Sequence, residues 1–217
     1  LLPEWLRFLR GVIDSADLPL SISRERMQDS SLLQKISRLI TKRVLKMLQD
    51  EANKRPEDYK KFYDQFAGFI KEGVATDHNH RESLAKLLRF ESSQTDKGVF
   101  TSLEDYVSRM KENQKSIYYI HAQTREAIEN GPYLEAFQKR GIEVIYLYEQ
   151  IDELVMSHLM QFQEKNLSAV DQDDIDLEEV ADSGDDTEEA LDESEVTDFA
   201  RWMRETLGER VGEVKSG

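Results

Sequence analysis

The chain contains no cysteine, which excludes disulfides and thiolate metal sites and suits a reducing compartment. No apolar run approaches the roughly twenty residues that a membrane-spanning helix needs. A glycine-rich phosphate loop, a nucleophile elbow and a serine–histidine–aspartate pattern are likewise missing. Residues 171–200 have no lysine or arginine but hold fifteen acidic side chains. The formal net charge of −15 therefore belongs to that one segment, because the remainder carries 29 acids against 29 bases. A nucleic-acid partner calls for a basic face, which this balance does not supply. The acidic run reads as a solvated, self-repelling linker, since such a composition buries too little apolar surface to offset ordering.

What is present is mostly helical patterning. Pro3–Arg10 reads as a short helix, and Val12 and Ile13 as a strand-like piece. Leu33, Ile36, Ile40, Val44 and Met47 then recur at helical steps, with Lys35, Arg38, Lys42 and Lys46 on the wetter side. Pro56 is placed to open a second helix, striped by Tyr59, Phe62, Phe66 and Ile70 and stopped by Gly73. An aromatic stripe of this kind is read as packing, and the two helices as a paired spacer.

From about residue 80 the signals alternate. Leu84, Leu87 and Leu88 mark a helix, and Thr101 with Glu104 form a capping-box pattern for a helix carrying Leu103, Tyr106 and Met110. Ser116–His121 reads as a buried strand, Pro132 opens a helix closed by Gly141, and Ile142–Tyr148 is a second buried strand. Ile151, Leu154, Val155, Leu159 and Phe162 define another helix, and Leu167–Val170 a last strand. Strand–helix–strand–helix–strand implies a short parallel sheet with helices on its faces. Val196–Leu207, with Trp202, is an amphipathic helix. The fold class is thus α+β, a helical spacer followed by a small αβα sandwich, with truncated domains at both ends. Residues 1–28 end a large subdomain, 29–74 form the spacer, 75–170 the small αβα subdomain, 171–193 the acidic linker, and 194–217 the start of a further domain. Opening at Leu1 without methionine, the chain reads as a soluble piece cut from a longer protein.

Two segments invite chemical readings. Asp77-His78-Asn79-His80 offers two histidines without a third His or Cys nearby, whereas structural zinc takes four ligands; we read a solvated loop and expect no metal site. In Leu18-Pro19-Leu20-Ser21-Ile22-Ser23-Arg24, proline makes Leu18 extended, and Ser23 stands as a helix-cap candidate. Arg24 and Gln28 follow one helical turn apart. A capped turn ending in a guanidinium holds a rigid, permanently charged fork of donors against phosphate oxygens.

The run RGVIDSADLPLSISRE closely resembles a signature in the middle segment of the 90-kDa heat-shock protein chaperone family, most nearly its bacterial HtpG-like members. The similarity continues through KLLRFESS (Lys86–Ser93), TSLEDYVSRMKENQKSIYYI (Thr101–Ile120) and GIEVIYLYEQIDEL (Gly141–Leu154). Four separated blocks in the right order are far more specific than one short motif. The chain departs from the family pattern at Ser21, usually Asn, at Arg26, more often aliphatic, and at Leu154, where some bacterial relatives carry tryptophan.

The resemblance implies an ATP-dependent chaperone that assists folding and remodels client proteins in the cytoplasm. The arginine matching Arg24 reaches the terminal phosphate of ATP held with Mg²⁺ by the chain's own N-terminal domain, and the glutamine matching Gln28 helps seat that loop. Both would be catalytic positions of a full-length ATPase, and this stretch alone is expected to be inactive. Glu153, Leu154 and Ser157 align with a region that touches unfolded or partly folded clients. Homodimerisation belongs to a C-terminal domain outside this stretch, and neither nucleic acid nor membrane is an expected partner. The competing reading is a non-enzymatic scaffold whose acidic linker docks basic partners.

Overall fold

The computed structural model describes residues 1–13, 31–171 and 193–207. Two compact units divide between Asp182 and Ser183. The first opens with a single 3-10 turn, Glu4–Leu6, that buries Trp5 and Leu6. Val12 and Ile13 form no strand and are exposed.

Helix α1 spans Ser31–Lys54 and α2 spans Pro56–Thr76. Pro56 occupies the first turn of α2, where a missing N–H costs nothing, and Glu57 and Asp58 complement the helix dipole there. The buried line of α1 is Thr41, Leu45, Leu48 and Ala52, not the expected Leu33-to-Met47 stripe. Burial begins only in the middle of the helix, and Met47 stays half exposed. In α2, Tyr59 and Ile70 are buried as expected, while Phe62 and Phe66 stack at 5.1 Å on its partly covered side.

Gly73 does not stop α2, which continues to Thr76. Its role is close approach: a Cβ there would stand 2.9 Å from Trp5 Cγ and from Leu84 Cδ1. The leucine tip can swing away, but the indole is pinned by its Nε1–H bond to Asp77, 2.9 Å long. Gly73→Ala gains about 1 kcal/mol in helix propensity against an overpacking cost of roughly 1–3 kcal/mol. We expect a lower melting temperature by calorimetry; a rise would show that Trp5 yields freely.

The remaining elements build one sheet with two covered faces. In chain order they are α3 (Arg81–Ala85), β1 (Glu91–Ser92), α4 (Leu103–Arg109), β2 (Ser116–His121), α5 (Arg125–Glu129), α6 (Glu135–Lys139), β3 (Val144–Leu147), α7 (Gln150–Leu159), β4 (Gln161–Phe162) and β5 (Lys165–Ala169). The strand order is β1-β3-β2-β5-β4. The three expected strands pair in parallel, β3 with β2 and β2 with β5. The two-residue strands β1 and β4 add antiparallel edges, so the sheet is mixed. Alternation then sorts side chains between faces. Ile117, Ile145 and Leu147 join a core with Trp5, Leu45, Tyr59, Ile70, Leu84 and Val155. Tyr118, Ile120, Val144 and Tyr146 face a second core with Ile128, Leu134 and Phe137.

Local chemistry moved several boundaries. The cap of α4 is Ser102, whose hydroxyl accepts from the Asp105 N–H at 3.0 Å, one residue beyond the expected Thr101. Thr101 instead pairs by backbone with Phe90 and accepts from Arg109 Nη2 at 2.7 Å. Pro132 opens no helix but falls between α5 and α6. Gly141, at φ +61°, takes the left-handed conformation just beyond α6. Phe162 lies in β4 rather than at the end of α7.

The second unit is described by α8 (Glu193–Leu207). Phe199 and Trp202 are exposed on it and stack at 5.8 Å.

Candidate functional site

Arg24, Gln28 and the turn that carries them lie outside the described residues. The site that can be built from the structure is therefore α7 and its surroundings, where Glu153, Leu154 and Ser157 fall.

Helix α7 starts on a reciprocal cap. Glu149 and Asp152 each accept from the other's backbone N–H, which satisfies two donors that a helix start leaves orphaned. Asp152, Val155, Met156 and Leu159 are buried, the spacing of one helical face. The charged member of that face is satisfied from α2: Lys71 Nζ lies 2.7 Å from Asp152 Oδ1 and 2.9 Å from Glu149 Oε2. The Lys71 and Asp152 side chains are only 8% and 5% exposed. Two charges this deep persist because they neutralise each other, and Asp152 Oδ2 also accepts from the Glu149 N–H at 3.1 Å. The Lys71–Asp152 pair thus bolts α7 to α2.

The opposite face of α7 is wet. Leu154 is 47% exposed and Met160, just past the helix, 64%. Leu154 is therefore not core, although Ile151–Leu154–Val155 fits the apolar stripe read from the sequence. Beside it the Ser157 hydroxyl donates to the Leu154 carbonyl at 2.9 Å, and His158 Nδ1 lies 2.8 Å from the same oxygen. Glu153 reaches His121 at the end of β2, with Oε1 3.5 Å from Nδ1. His121 Nε2 is buried without a hydrogen-bond partner. Met160 takes φ +56°, a conformation rare for residues with a side chain, which turns the chain sharply into β4. Glu153, Leu154 and Ser157 therefore share one outward surface, an apolar centre between a carboxylate and a hydroxyl.

The supporting pair was missed in the sequence because charged residues carry no weight in hydrophobic periodicity. The readable signal was Glu149-x-x-Asp152 at the head of an apolar run, a cap pattern. The His78–His80 segment also has a structural use: His80 Nδ1 lies 2.8 Å from Asp77 Oδ2, the oxygen that also accepts from Trp5. Burial pushes the Asp77 carboxyl upward, but the Trp5 and His80 hydrogen bonds outweigh it and hold the pKa below the usual range. Among the described residues no group of three or more His, Asp or Glu side chains is arranged to hold a metal ion. No described helix is long and apolar enough to cross a membrane.

The family model described as Hsp90 protein matches residues 1–216. The chain is 48% identical over 215 residues to a protein named Chaperone protein HtpG from Desulfitobacterium hafniense, covering 99% of this chain and 35% of that protein. The HtpG chaperone of Pasteurella multocida is 45% identical over 215 residues, covering 99% of this chain and 34% of its own length. A bovine protein named Heat shock protein 75 kDa, mitochondrial, is 41% identical over 220 residues, covering 99% of this chain and 31% of its own. The chain spans about a third of the length of these curated relatives. With a family model matched over residues 1–216 and relatives 41–48% identical across nearly the whole chain, this chain belongs to the Hsp90 protein family, as an HtpG-like member.

Proposed function

We propose that the chain is the middle segment of an ATP-dependent chaperone and that the outward face of α7 contacts client proteins. The observation that carries the client reading is Leu154, a large apolar side chain held in water on a helix whose other face is locked into the core. An apolar group kept on a rigid surface is suited to transient contact with exposed apolar segments of a partly folded chain. Glu153 and Ser157 add a charge and a hydroxyl at its sides. The family membership supports the reading, and the names of the relatives, chaperone and heat-shock protein, agree with it.

For the nucleotide step, this chain's part is limited to Arg24 and Gln28. Bound ATP and Mg²⁺ would supply the phosphoryl chemistry from a preceding N-terminal domain. Arg24 would place its fork on the terminal phosphate oxygens, with Gln28 one turn on holding the loop. Clamp-like closure of a homodimer joined by a C-terminal domain, and a cytoplasmic setting, complete the proposal.

Leu154→Glu should weaken binding of a partly folded substrate by roughly tenfold, since a centrally placed contact residue commonly carries more than 1 kcal/mol, while the melting temperature stays within a degree or two. Fluorescence anisotropy with a labelled, destabilised client protein reads the first, and calorimetry the second. A large fall in melting temperature would return Leu154 to a packing role. Unaltered client affinity at unaltered stability would move the contact elsewhere.

A further inference from the structure

The first turns of α2 and the loop between β1 and α4 enclose a groove that the proposed function does not use. Its outer part is a cavity of about 350 Å³ walled by Tyr59, Val99 and Phe100, with Lys60 and Arg89 as its cations and Glu57 as its one carboxylate. An inner chamber of about 200 Å³ shares Arg89 and Phe100 and reaches Tyr63. The combined space is walled by aromatic rings and by charged groups of both signs, the carboxylates Asp64, Glu91, Glu149 and Asp152 lying in the inner chamber; an apolar wall with convergent polar groups is the usual make-up of a small-molecule site.

Arg89 sets the chemistry. Its Nη1 donates to the carbonyls of Lys86 and Leu88 at 3.0 and 2.7 Å. The guanidinium carbon stands 4.9 Å from the centre of the Tyr59 ring. Nε and Nη2, the side-on edge of the fork, have no protein partner among the described residues. The carboxylates nearby are committed to other groups. Glu91 accepts from the Gly98 N–H at 2.7 Å, the Tyr148 hydroxyl at 2.9 Å and Arg125 Nη1 at 3.0 Å. Asp152 and Glu149 hold Lys71, and Asp64 lies 3.7 Å from Lys60. Deep in the chamber the buried Tyr63 hydroxyl has no acceptor for its proton. Arg89, braced by two carbonyls and set against the Tyr59 ring, thus lines both cavities with its Nε–Nη2 edge unpartnered among the described residues.

We propose that this groove binds a small apolar carboxylate, its body between Tyr59 and Phe100 and its carboxylate on the Nε–Nη2 edge of Arg89. The planar fork matches two carboxylate oxygens at once, and Lys60, shared with Asp64, lies 4.4 Å over the Phe100 ring that would cover the ligand's body. A carboxylate oxygen entering the chamber also gives the Tyr63 hydroxyl its acceptor.

The test is a nitrogen–proton NMR titration of the chain with 4-phenylbutyrate, with 4-phenylbutanol as the neutral control. The acid should move the amides of Lys60, Val99 and Phe100 with a dissociation constant on the order of millimolar, as expected for so small a ligand. The alcohol should bind at least tenfold more weakly. Arg89→Gln should weaken the acid at least tenfold, and Arg89→Lys by less. Arg89 also braces two backbone carbonyls, so Val99→Glu provides an independent arm. That side chain is 51% exposed, and a carboxylate there should repel the acid without disturbing the fold. Equal binding of acid and alcohol overturns the proposal, as do shifts confined to other surfaces or wild-type affinity in both variants. Binding of N-acetyl-glycyl-phenylalanine without binding of phenylbutyrate would assign the groove to a peptide terminus and overturn the small-acid assignment.

Discussion

Arg24→Ala in the full-length protein should lower ATP turnover on the order of a thousandfold, the usual contribution of an arginine supplied to a transferring phosphoryl group. Nucleotide affinity should change by no more than about twofold, because adenine, ribose and metal contacts would lie in another domain and only the transition state gains from the fork. Arg24→Lys should recover a fraction of the loss: a point charge still opposes the developing negative charge, but the two-oxygen match is gone. Gln28→Ala should cost less than Arg24→Ala, since Gln28 is assigned to seating the loop. Steady-state turnover paired with equilibrium nucleotide binding separates these effects. Unchanged turnover in Arg24→Ala would remove the catalytic assignment and leave the scaffold reading in its place.

The largest expected loss of stability is at Asp152. Asp152→Ala leaves the Lys71 ammonium, 8% exposed, facing only Glu149, a solvent-facing partner at 2.9 Å and 65% exposed. Removing one member of a buried pair costs roughly 3–5 kcal/mol. The side chain also accepts from the Glu149 N–H at 3.1 Å, so a helix cap is lost as well, at about 1 kcal/mol. In a chain of this size the melting temperature should fall by about 10 °C or more. The double substitution Lys71→Met with Asp152→Leu should restore most of that loss, because a well-packed apolar pair often matches or exceeds a buried ion pair. Thermal unfolding of both variants decides the matter. A single substitution no worse than a surface change would mean that water reaches Lys71 and the pair is not a bolt. Client affinity should fall along with stability in Asp152→Ala but not in Leu154→Glu, which separates support from contact.

Long periodic segments and continuous apolar strands were legible in the sequence. Ser116–His121 occurs as β2 with the ends read from the sequence, because a run of β-branched and aromatic residues between polar turns has few other uses. Both long helices were visible from their apolar periodicity, but the buried face of α1 was not. The stripe was read over the whole helix, whereas burial starts at Thr41, a polar residue that no hydrophobic pattern selects. Strands β1 and β4 are two residues each, too short for an alternation to register. Trp5 and Gly73 illustrate a tertiary effect: the glycine reads locally as a helix stop, yet an indole 72 positions from its hydrogen-bond partner needs the space. At the candidate site, the residues on α7 were visible and their orientation was not. Leu154 fits an apolar stripe as well as an exposed position, and only the placement of Asp152 on the inner face settles which way the helix is turned.

The two-residue rims of the sheet bear on the proposed contact with partly folded chains. An open, lengthy border of backbone amides and carbonyls would act as a template onto which any extended visitor could zip. Here each flank ends in a brief reversed segment, Glu91–Ser92 on one side and Gln161–Phe162 on the other. A visiting strand would find only short flanking segments on which to anneal, so the proposed client contact would rest on side chains that let go.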